Sequence, residues 1–193
     1  LVYELERLRD EFLRSRRIEI NIGSSRRPVW VVSPSTPQQY ATYVNEILRD
    51  YQSGLLLKWQ PTVFCAEITH KDPLVNHDKL NCTMIIDGVQ KDSLSNRLID
   101  DMHYKDVREK IVPAIYRKWE LKTCVYCNAN YTISDSDGEG YYDLDHWKPK
   151  SFYPCLCISF FNLQPSCPSC NRRKSSSDDS YFGLWDDKNR SDR

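Results

Sequence analysis

The sequence predicts an α+β protein in which a mainly helical region, residues 1–119, precedes a compact cysteine-rich unit, residues 120–193. Three observations lead to this prediction. Apolar residues recur at helical spacing through much of the first region. Two Cys-x-x-Cys pairs, separated by 39 residues, lie in the second region. Between those pairs, an aromatic and apolar run follows a glycine-rich turn, which is the pattern of a short β-strand.

Two helices and a strand are predicted near the N-terminus. Residues 1–16 place apolar side chains on one helical face and charged side chains on the other. A second helix is expected to begin at Pro37, because Thr36 can cap it and proline suits the first helical position. Gly54 is a plausible end for that helix. Residues 29–32 are expected to form a strand between the two helices.

The middle of the chain gives weaker signals. Strands are predicted at residues 62–69 and 82–87, and helical spacing returns over residues 93–120 in two apolar stripes. Pro113 should kink this last helix or start a new one, because proline lacks an amide hydrogen. Four scattered residues without paired spacing are interpreted as buried thiols and surface histidines: Cys65, Cys82, His70 and His77.

Charge and hydropathy limit the classes of function. The chain carries 27 basic and 27 acidic residues. Residues 121–193 contain nine of the basic residues and ten of the acidic residues. A protein that grips nucleic acid unaided usually has a basic excess, so this balance argues against strong unaided binding. It does not argue against cleavage assisted by a partner. No apolar run approaches the roughly 20 residues of a membrane helix, and no export signal is recognisable, so we expect a cytoplasmic protein without a membrane partner.

The cysteine pairs predict a structural zinc site. Cys124 and Cys127 form the first pair, and Cys167 and Cys170 form the second. Four thiolates in this arrangement can surround one tetrahedral zinc ion. In a reducing cytoplasm zinc is favoured over disulfides, although a redox role is an alternative. Two further cysteines in an apolar run that continues to Phe161 are interpreted as core residues: Cys155 and Cys157.

A candidate hydrolytic centre lies between the two cysteine pairs. The strand predicted at Gly140–Asp145 delivers Asp145 and His146 at its end. A carboxylate combined with an amide oxygen suits a hard cation such as Mg²⁺. A neutral imidazole nearby can take a proton from an attacking water. These residue types inside a zinc staple favour a small metal-dependent hydrolytic site.

Three motifs carry a resemblance to a known family. They are Asp145-His146-Trp147-Lys148-Pro149-Lys150-Ser151, then Phe161-Asn162-Leu163, then Cys167-Pro168-Ser169-Cys170-Asn171-Arg172-Arg173-Lys174. Together they resemble the HNH endonucleases in their four-cysteine form, over about residues 120–185. This resemblance implies a zinc-stapled ββα-metal unit, in which a hairpin and a helix surround one divalent cation. Within that family, the motifs resemble the PtuB-like nuclease subunits of Septu-type bacterial anti-phage systems.

The resemblance also implies a role for individual residues. His146 would be the general base that activates water, and Asn162 would hold the loop that aims it. Asp145 and Asn171 would bind the catalytic Mg²⁺ or Mn²⁺. Three basic side chains would face phosphate oxygens, or else lie on a solvated helix face: Arg172, Lys174 and Lys150.

The function implied is metal-dependent hydrolysis of nucleic-acid phosphodiesters, with DNA favoured over RNA, in a bacterial anti-phage defence complex. Residues 1–119 would then dock a partner, expected to be an ATPase of the ABC or SMC-like type. Two alternatives stay open: a nuclease that cleaves RNA, such as tRNA, with the same site, and a non-catalytic zinc-binding adaptor. The combination of Asp145, His146 and Asn171 argues against the adaptor, which needs none of them.

Overall fold

The computed structural model describes residues 1–53, 77–111, 122–133 and 142–177. They form helices and two small antiparallel sheets, so the predicted α+β class is confirmed. The helices are α1 Val2–Arg14, α2 Pro37–Gln52, α3 His77–Leu80, α4 Leu94–Asp101, α5 Tyr104–Asp106 and α6 Pro168–Lys174. The strands are β1 Ile18–Asn21, β2 Trp30–Val32, β3 Met84–Ile86, β4 Val89–Lys91, β5 Asp143–His146 and β6 Leu163–Ser166.

The two N-terminal helices begin and pack as their sequences predict. At the start of α2, the Thr36 side chain accepts a hydrogen bond from the Gln39 amide, and the Gln39 side chain accepts one from the Thr36 amide. This reciprocal capping box satisfies two amides that the helix itself leaves unpaired. Helix α1 packs along α2, and the rings of Phe12 and Tyr40 stack with their centroids 5.3 Å apart. The two helices therefore share one apolar interface.

A four-stranded antiparallel sheet accompanies these helices, in the order β2-β1-β3-β4. Strands β2 and β3 lie within the predicted ranges, whereas β1 and β4 were not predicted. Asp87 and Gly88 connect β3 to β4 with φ angles of 48° and 86°. Such a pair forms the tight turn that matches the twist of a hairpin.

The helix expected over residues 93–120 is interrupted. His103 adopts a left-handed conformation, with φ at 53°, and separates α4 from α5. The chain then continues from α5 into a π-helical turn at Val107–Ile111. The first apolar stripe therefore ends with α4, and residues 112–120 lie outside the described residues. Several predicted features lie outside the described residues: Gly54, the strand at 62–69, Cys65, His70 and Pro113.

One hydrophobic core joins the two halves of the chain. The apolar cluster built by α1, α2, the sheet and α4 continues into Tyr153, Leu156 and Leu163. Cys155 and Cys157 are buried in it, which confirms their interpretation as core residues. Helix α4 packs against the 3-10 turn at Pro154–Leu156, and this contact brings α5 close to the second half of the chain. Among the described residues, no helix combines the length and apolar character needed to cross a membrane.

Candidate metal-dependent active site

The four paired cysteines come together as the sequence predicts. The sulfur atoms of Cys124, Cys127, Cys167 and Cys170 all lie within 4.8 Å of one another. A tetrahedral zinc site with Zn–S bonds of about 2.3 Å needs sulfurs about 3.8 Å apart. The donor set and its spacing therefore fit one zinc ion.

Hydrogen bonds favour the thiolate form at two of the four sulfurs. The backbone amides of Asn130 and Ala129 lower the pKa of Cys127. Burial raises the pKa of Cys167, but hydrogen bonds led by that from the Asn130 side chain outweigh it and bring the pKa to about 6. The Asn130 Nδ2 atom lies 3.2 Å from the Cys167 sulfur, so the loop of the first pair also contacts the second pair. Burial and the neighbouring thiols raise the pKa of Cys170 to about 12, so a metal ion that binds all four thiolates must displace a proton there.

The cysteine cluster lies where a β-hairpin leads into a helix. Strand β5 pairs antiparallel with β6, with Asp145 opposite Gln164 and His146 opposite Leu163. Helix α6 begins directly after Cys167 and packs against β5. In chain order the unit is strand, strand and helix, and the cysteine cluster sits where the helix begins.

Asn162 ties down the loop that follows β5. Its side chain is fully buried, accepts a hydrogen bond from the Lys148 amide at 2.7 Å and donates to the Lys148 carbonyl at 3.0 Å. It also donates to the Leu156 carbonyl at 3.2 Å. The Asn162 carbonyl in turn accepts the Trp147 amide at 2.8 Å. These contacts hold the backbone immediately after His146.

His146 is positioned as a neutral imidazole. Its Nε2 lies 3.0 Å from the Cys157 carbonyl oxygen, which can only accept, so Nε2 carries the hydrogen. That tautomer leaves Nδ1 as the basic nitrogen. The ring packs at a tilt against Tyr104, with centroids 5.0 Å apart. Burial lowers the pKa of His146 to about 3, so the ring is uncharged near neutral pH.

Two side-chain donors meet at one oxygen of Asp145, and the backbone amide of His146 also donates to this carboxylate. The Tyr126 hydroxyl donates to Asp145 Oδ2, and Lys174 Nζ lies 3.2 Å from the same atom. Burial raises the pKa of Asp145, although the bonds from Tyr126 and Lys174 act in the opposite direction. Lys174 also donates to the His146 carbonyl at 2.7 Å, and only 1% of its surface is exposed. The expectation that Lys174 faces phosphate or solvent is therefore wrong, because internal acceptors occupy its ammonium group.

Asp143, which was not among the predicted site residues, orients the Asn171 side chain. The Asn171 Nδ2 atom donates to Asp143 Oδ2 at 2.9 Å, which leaves the Asn171 Oδ1 atom as an acceptor for other groups. Asp145 and Asn171 line one cleft. A carboxylate and an amide oxygen in a site open to water match the ligand preference of Mg²⁺ and Mn²⁺, so these residues fit such a cation.

The cleft has a volume of about 320 Å³ and draws on both halves of the chain. Asp145, His146 and Asn171 line it together with Lys150, as does Arg108 from the π-helical turn. The Lys150 ammonium lies 4.5 Å from the centroid of the Tyr104 ring. Arg172 is exposed and is not among the residues that line this cleft. Of the three basic residues expected to face phosphate, Lys150 is the one that lines this cleft.

Sequence reasoning missed four residues of this site. Asp143 precedes Asp145 by two positions in a strand, so the period of two could have placed both on one face. Tyr126 lies inside the first cysteine pair, which drew attention only to its cysteines. Tyr104 and Arg108 are about 40 positions from His146 in the chain, and no local pattern connects them to it.

Comparison with known proteins gives one partial similarity to report. The chain is 38% identical over 55 residues to the Septu protein PtuB of Bacillus thuringiensis. That match covers 28% of this chain and 20% of the PtuB sequence. No family model matches the chain, and no solved structure matches it. The chain is therefore similar in part to a Septu protein, and its cysteine cluster could bind zinc.

Proposed function

We propose that this protein is a metal-dependent endonuclease of the HNH type that hydrolyses phosphodiester bonds in nucleic acid. The observation that supports this most is the neutral His146, whose Nε2 is bound to a carbonyl, in the same cleft as Asp145 and Asn171. A general base must have a free lone pair, and Nδ1 provides it. The cleft thus combines a proton acceptor with oxygens that suit a divalent cation.

Each residue has a definite task in the proposed reaction. His146 Nδ1 takes the proton from the attacking water, and the Cys157 carbonyl keeps the ring in the required tautomer. Asp145 and Asn171 hold the divalent cation, Mg²⁺ or Mn²⁺. When bound, such a cation polarises the phosphate and stabilises the leaving 3′ oxygen. Asn162 keeps the loop after His146 in place. The expected products carry 5′ phosphate and 3′ hydroxyl ends.

The substrate side of the cleft is basic. Lys150 and Arg108 line it, and their side chains can contact phosphate oxygens without reading sequence. Because Arg108 belongs to the first half of the chain, residues 1–119 contribute to the site as well as to partner docking. We favour DNA over RNA as the substrate, and parallel incubation with labelled DNA, RNA and tRNA in Mg²⁺ distinguishes them.

The partial similarity to PtuB supports a role in anti-phage defence. The net charge of zero supports dependence on a partner, because phosphate contacts dominate unaided binding to nucleic acid. We propose that this partner is an ATPase of the ABC or SMC-like type. Tight binding and cleavage of DNA by the chain alone at physiological salt would contradict this dependence.

The test of the nuclease is His146→Ala. We expect cleavage to fall by a factor of about 10²–10⁴, the usual cost of losing a general base. Zinc content should stay unchanged, and the melting temperature should fall without loss of the fold, because the change removes one buried ring that packs against Tyr104. The measurement is a time course of cleavage with the partner present, alongside elemental analysis and thermal melting.

His103→Asn is the matched control. His103 is exposed, does not line the cleft, and has a left-handed backbone that asparagine tolerates. Its cleavage rate should equal that of the wild type. Full activity in His146→Ala would refute the nuclease assignment and leave the zinc-binding adaptor as the better interpretation.

A further inference from the structure

We propose that Tyr126, the aromatic residue inside the first cysteine pair, is a positioning residue that presents Asp145 Oδ1 to the catalytic cation. This inference rests on the proposed function, because it assigns Asp145 as a ligand of that cation. It connects the turn that carries Cys124 and Cys127 to the catalytic cleft. Tyr126, in that turn, is the middle member of a chain of hydrogen bonds from Gln164 to Asp145.

The direction of these hydrogen bonds follows from the chemistry of the groups. Gln164 Nε2 donates to the Tyr126 hydroxyl oxygen at 2.6 Å. The hydroxyl has a single hydrogen, and its other partner is a carboxylate oxygen, which accepts. Tyr126 therefore accepts from Gln164 and donates to Asp145. Because Gln164 lies opposite Asp145 in the hairpin register, both ends of this chain of bonds are anchored in the same two strands.

The bonds distinguish the two oxygens of Asp145. Oδ2 receives the Tyr126 hydroxyl and lies 3.2 Å from Lys174 Nζ, so positive hydrogens already surround it. A cation is repelled from an oxygen in that environment and favours the other one. A carboxylate held in this way cannot rotate to exchange its oxygens without breaking both contacts. Tyr126 and Lys174 thus set which atom is available to the metal.

The position of Tyr126 makes this arrangement depend on zinc. It lies between Cys124 and Cys127, so the turn that carries two of the thiolates also carries the hydroxyl. The amide of Val125 contacts the Pro165 carbonyl at 3.4 Å, which sets the same turn against β6. Groups that orient a metal ligand typically contribute about 10- to 100-fold to metal affinity. Tyr126 should act on Asp145 with an effect of that size.

The test measures Mn²⁺ affinity directly, by electron paramagnetic resonance on zinc-loaded full-length protein. Tyr126→Phe removes only the hydroxyl, and we expect it to weaken Mn²⁺ binding by about 10- to 100-fold while zinc stays at one equivalent. Cleavage by Tyr126→Phe should recover as Mn²⁺ is raised, which a general loss of structure would not produce. The matched control is Tyr131→Phe, which removes a hydroxyl from the same loop at a side chain 71% exposed. Its Mn²⁺ affinity should equal that of the wild type.

Asp145→Ala separates the two levels of the proposal, because it removes both carboxylate oxygens. If wild type and Asp145→Ala bind Mn²⁺ equally, Asp145 is not a metal ligand and the proposed catalytic site fails. If Asp145→Ala loses Mn²⁺ but Tyr126→Phe keeps wild-type affinity, the role of Tyr126 is overturned and the nuclease proposal stands. If Tyr126→Phe fails to retain zinc, Gln164→Leu decides, because it removes the donor that orients the hydroxyl. Wild-type Mn²⁺ affinity in a folded Gln164→Leu would then overturn the role of Tyr126, and weakened affinity would support it.

Discussion

The first and second halves of this chain bury different kinds of side chains. The interior around α1, α2 and the four-stranded sheet is built mainly from leucine, isoleucine, valine and tyrosine, and it includes the fully buried Phe12. The interior around β5, β6 and α6 contains polar and charged side chains at comparable depth: Asp145, His146, Asn162, Gln164, Ser166 and Lys174. The first interior is stabilised by the removal of apolar area from water. The second depends on every polar group having a partner.

This difference explains why the cysteine cluster lies where it does. Burying polar groups costs free energy that hydrogen bonds only partly return, so a polar interior contributes little net stability. A metal that binds the folded state and not the unfolded one supplies the missing stability as binding free energy. The cysteine cluster adjoins the polar interior, and the apolar interior has no comparable cluster among the residues that the structure describes. A metal ion bound by these cysteines would therefore stabilise the part of the chain that gains less from apolar burial.

The largest effect should follow loss of the zinc site. Cys127→Ser should unfold the second half, because metal binding there is worth on the order of 10 kcal/mol. We expect about one zinc per wild-type chain and much less in the variant, by elemental analysis, with loss of near-UV circular dichroism. Cys82→Ser is the control, since Cys82 lies outside the cluster. Freshly purified, folded wild-type protein with less than about half an equivalent of zinc would contradict the structural site.

A smaller effect should follow damage to the apolar interior. Phe12→Ala removes a fully buried ring that stacks on Tyr40, and such deletions cost about 3–5 kcal/mol of unfolding free energy. Zinc content per folded chain should stay unchanged, because Phe12 packs on Tyr40 in the interface between α1 and α2 and does not belong to the cysteine cluster. Chemical denaturation measures the loss, with Leu13→Ala, at an exposed site of the same helix, as the control. Zinc loss from folded Phe12→Ala protein would show that the two interiors do not act independently.

The smallest of these effects on stability is expected for Asn162→Ala. The change leaves the buried Leu156 carbonyl without this partner, which costs about 1–3 kcal/mol, whereas water can replace the bonds to the part-buried Lys148 amide and carbonyl. Cleavage should fall with stability, because the loop after His146 loses its anchor. Denaturant unfolding and a cleavage assay on the same preparation measure both quantities. Asn45→Ala, at an exposed position on α2, is the control and should change neither stability nor cleavage. Unchanged cleavage by Asn162→Ala would show that Asn162 is not needed for the proposed site.

Local sequence patterns predicted the features that depend on residues close together in the chain. The cap at Thr36 and Pro37, the apolar faces of α1 and α2 and the two cysteine pairs all lie within a few residues of what they determine. The strand that carries Asp145 and His146 was predicted for the same reason, although it runs from Asp143 to His146. Spacing along the chain suffices where partners are neighbours in the sequence or share a metal ion.

The tertiary structure decided the rest of the site. A lysine after a cysteine pair is ordinarily exposed, and only the position of α6 against β5 shows that Lys174 is buried beside Asp145. Likewise, the break at His103 and the packing of α4 on the Pro154–Leu156 turn bring Tyr104 and Arg108 to the cleft. The sequence by itself determined the four clustered cysteines and the Asp145-His146 pair, because short-range spacing encodes them. Which basic side chains line the cleft and which are buried depended on contacts between distant segments, and no local pattern contains that information.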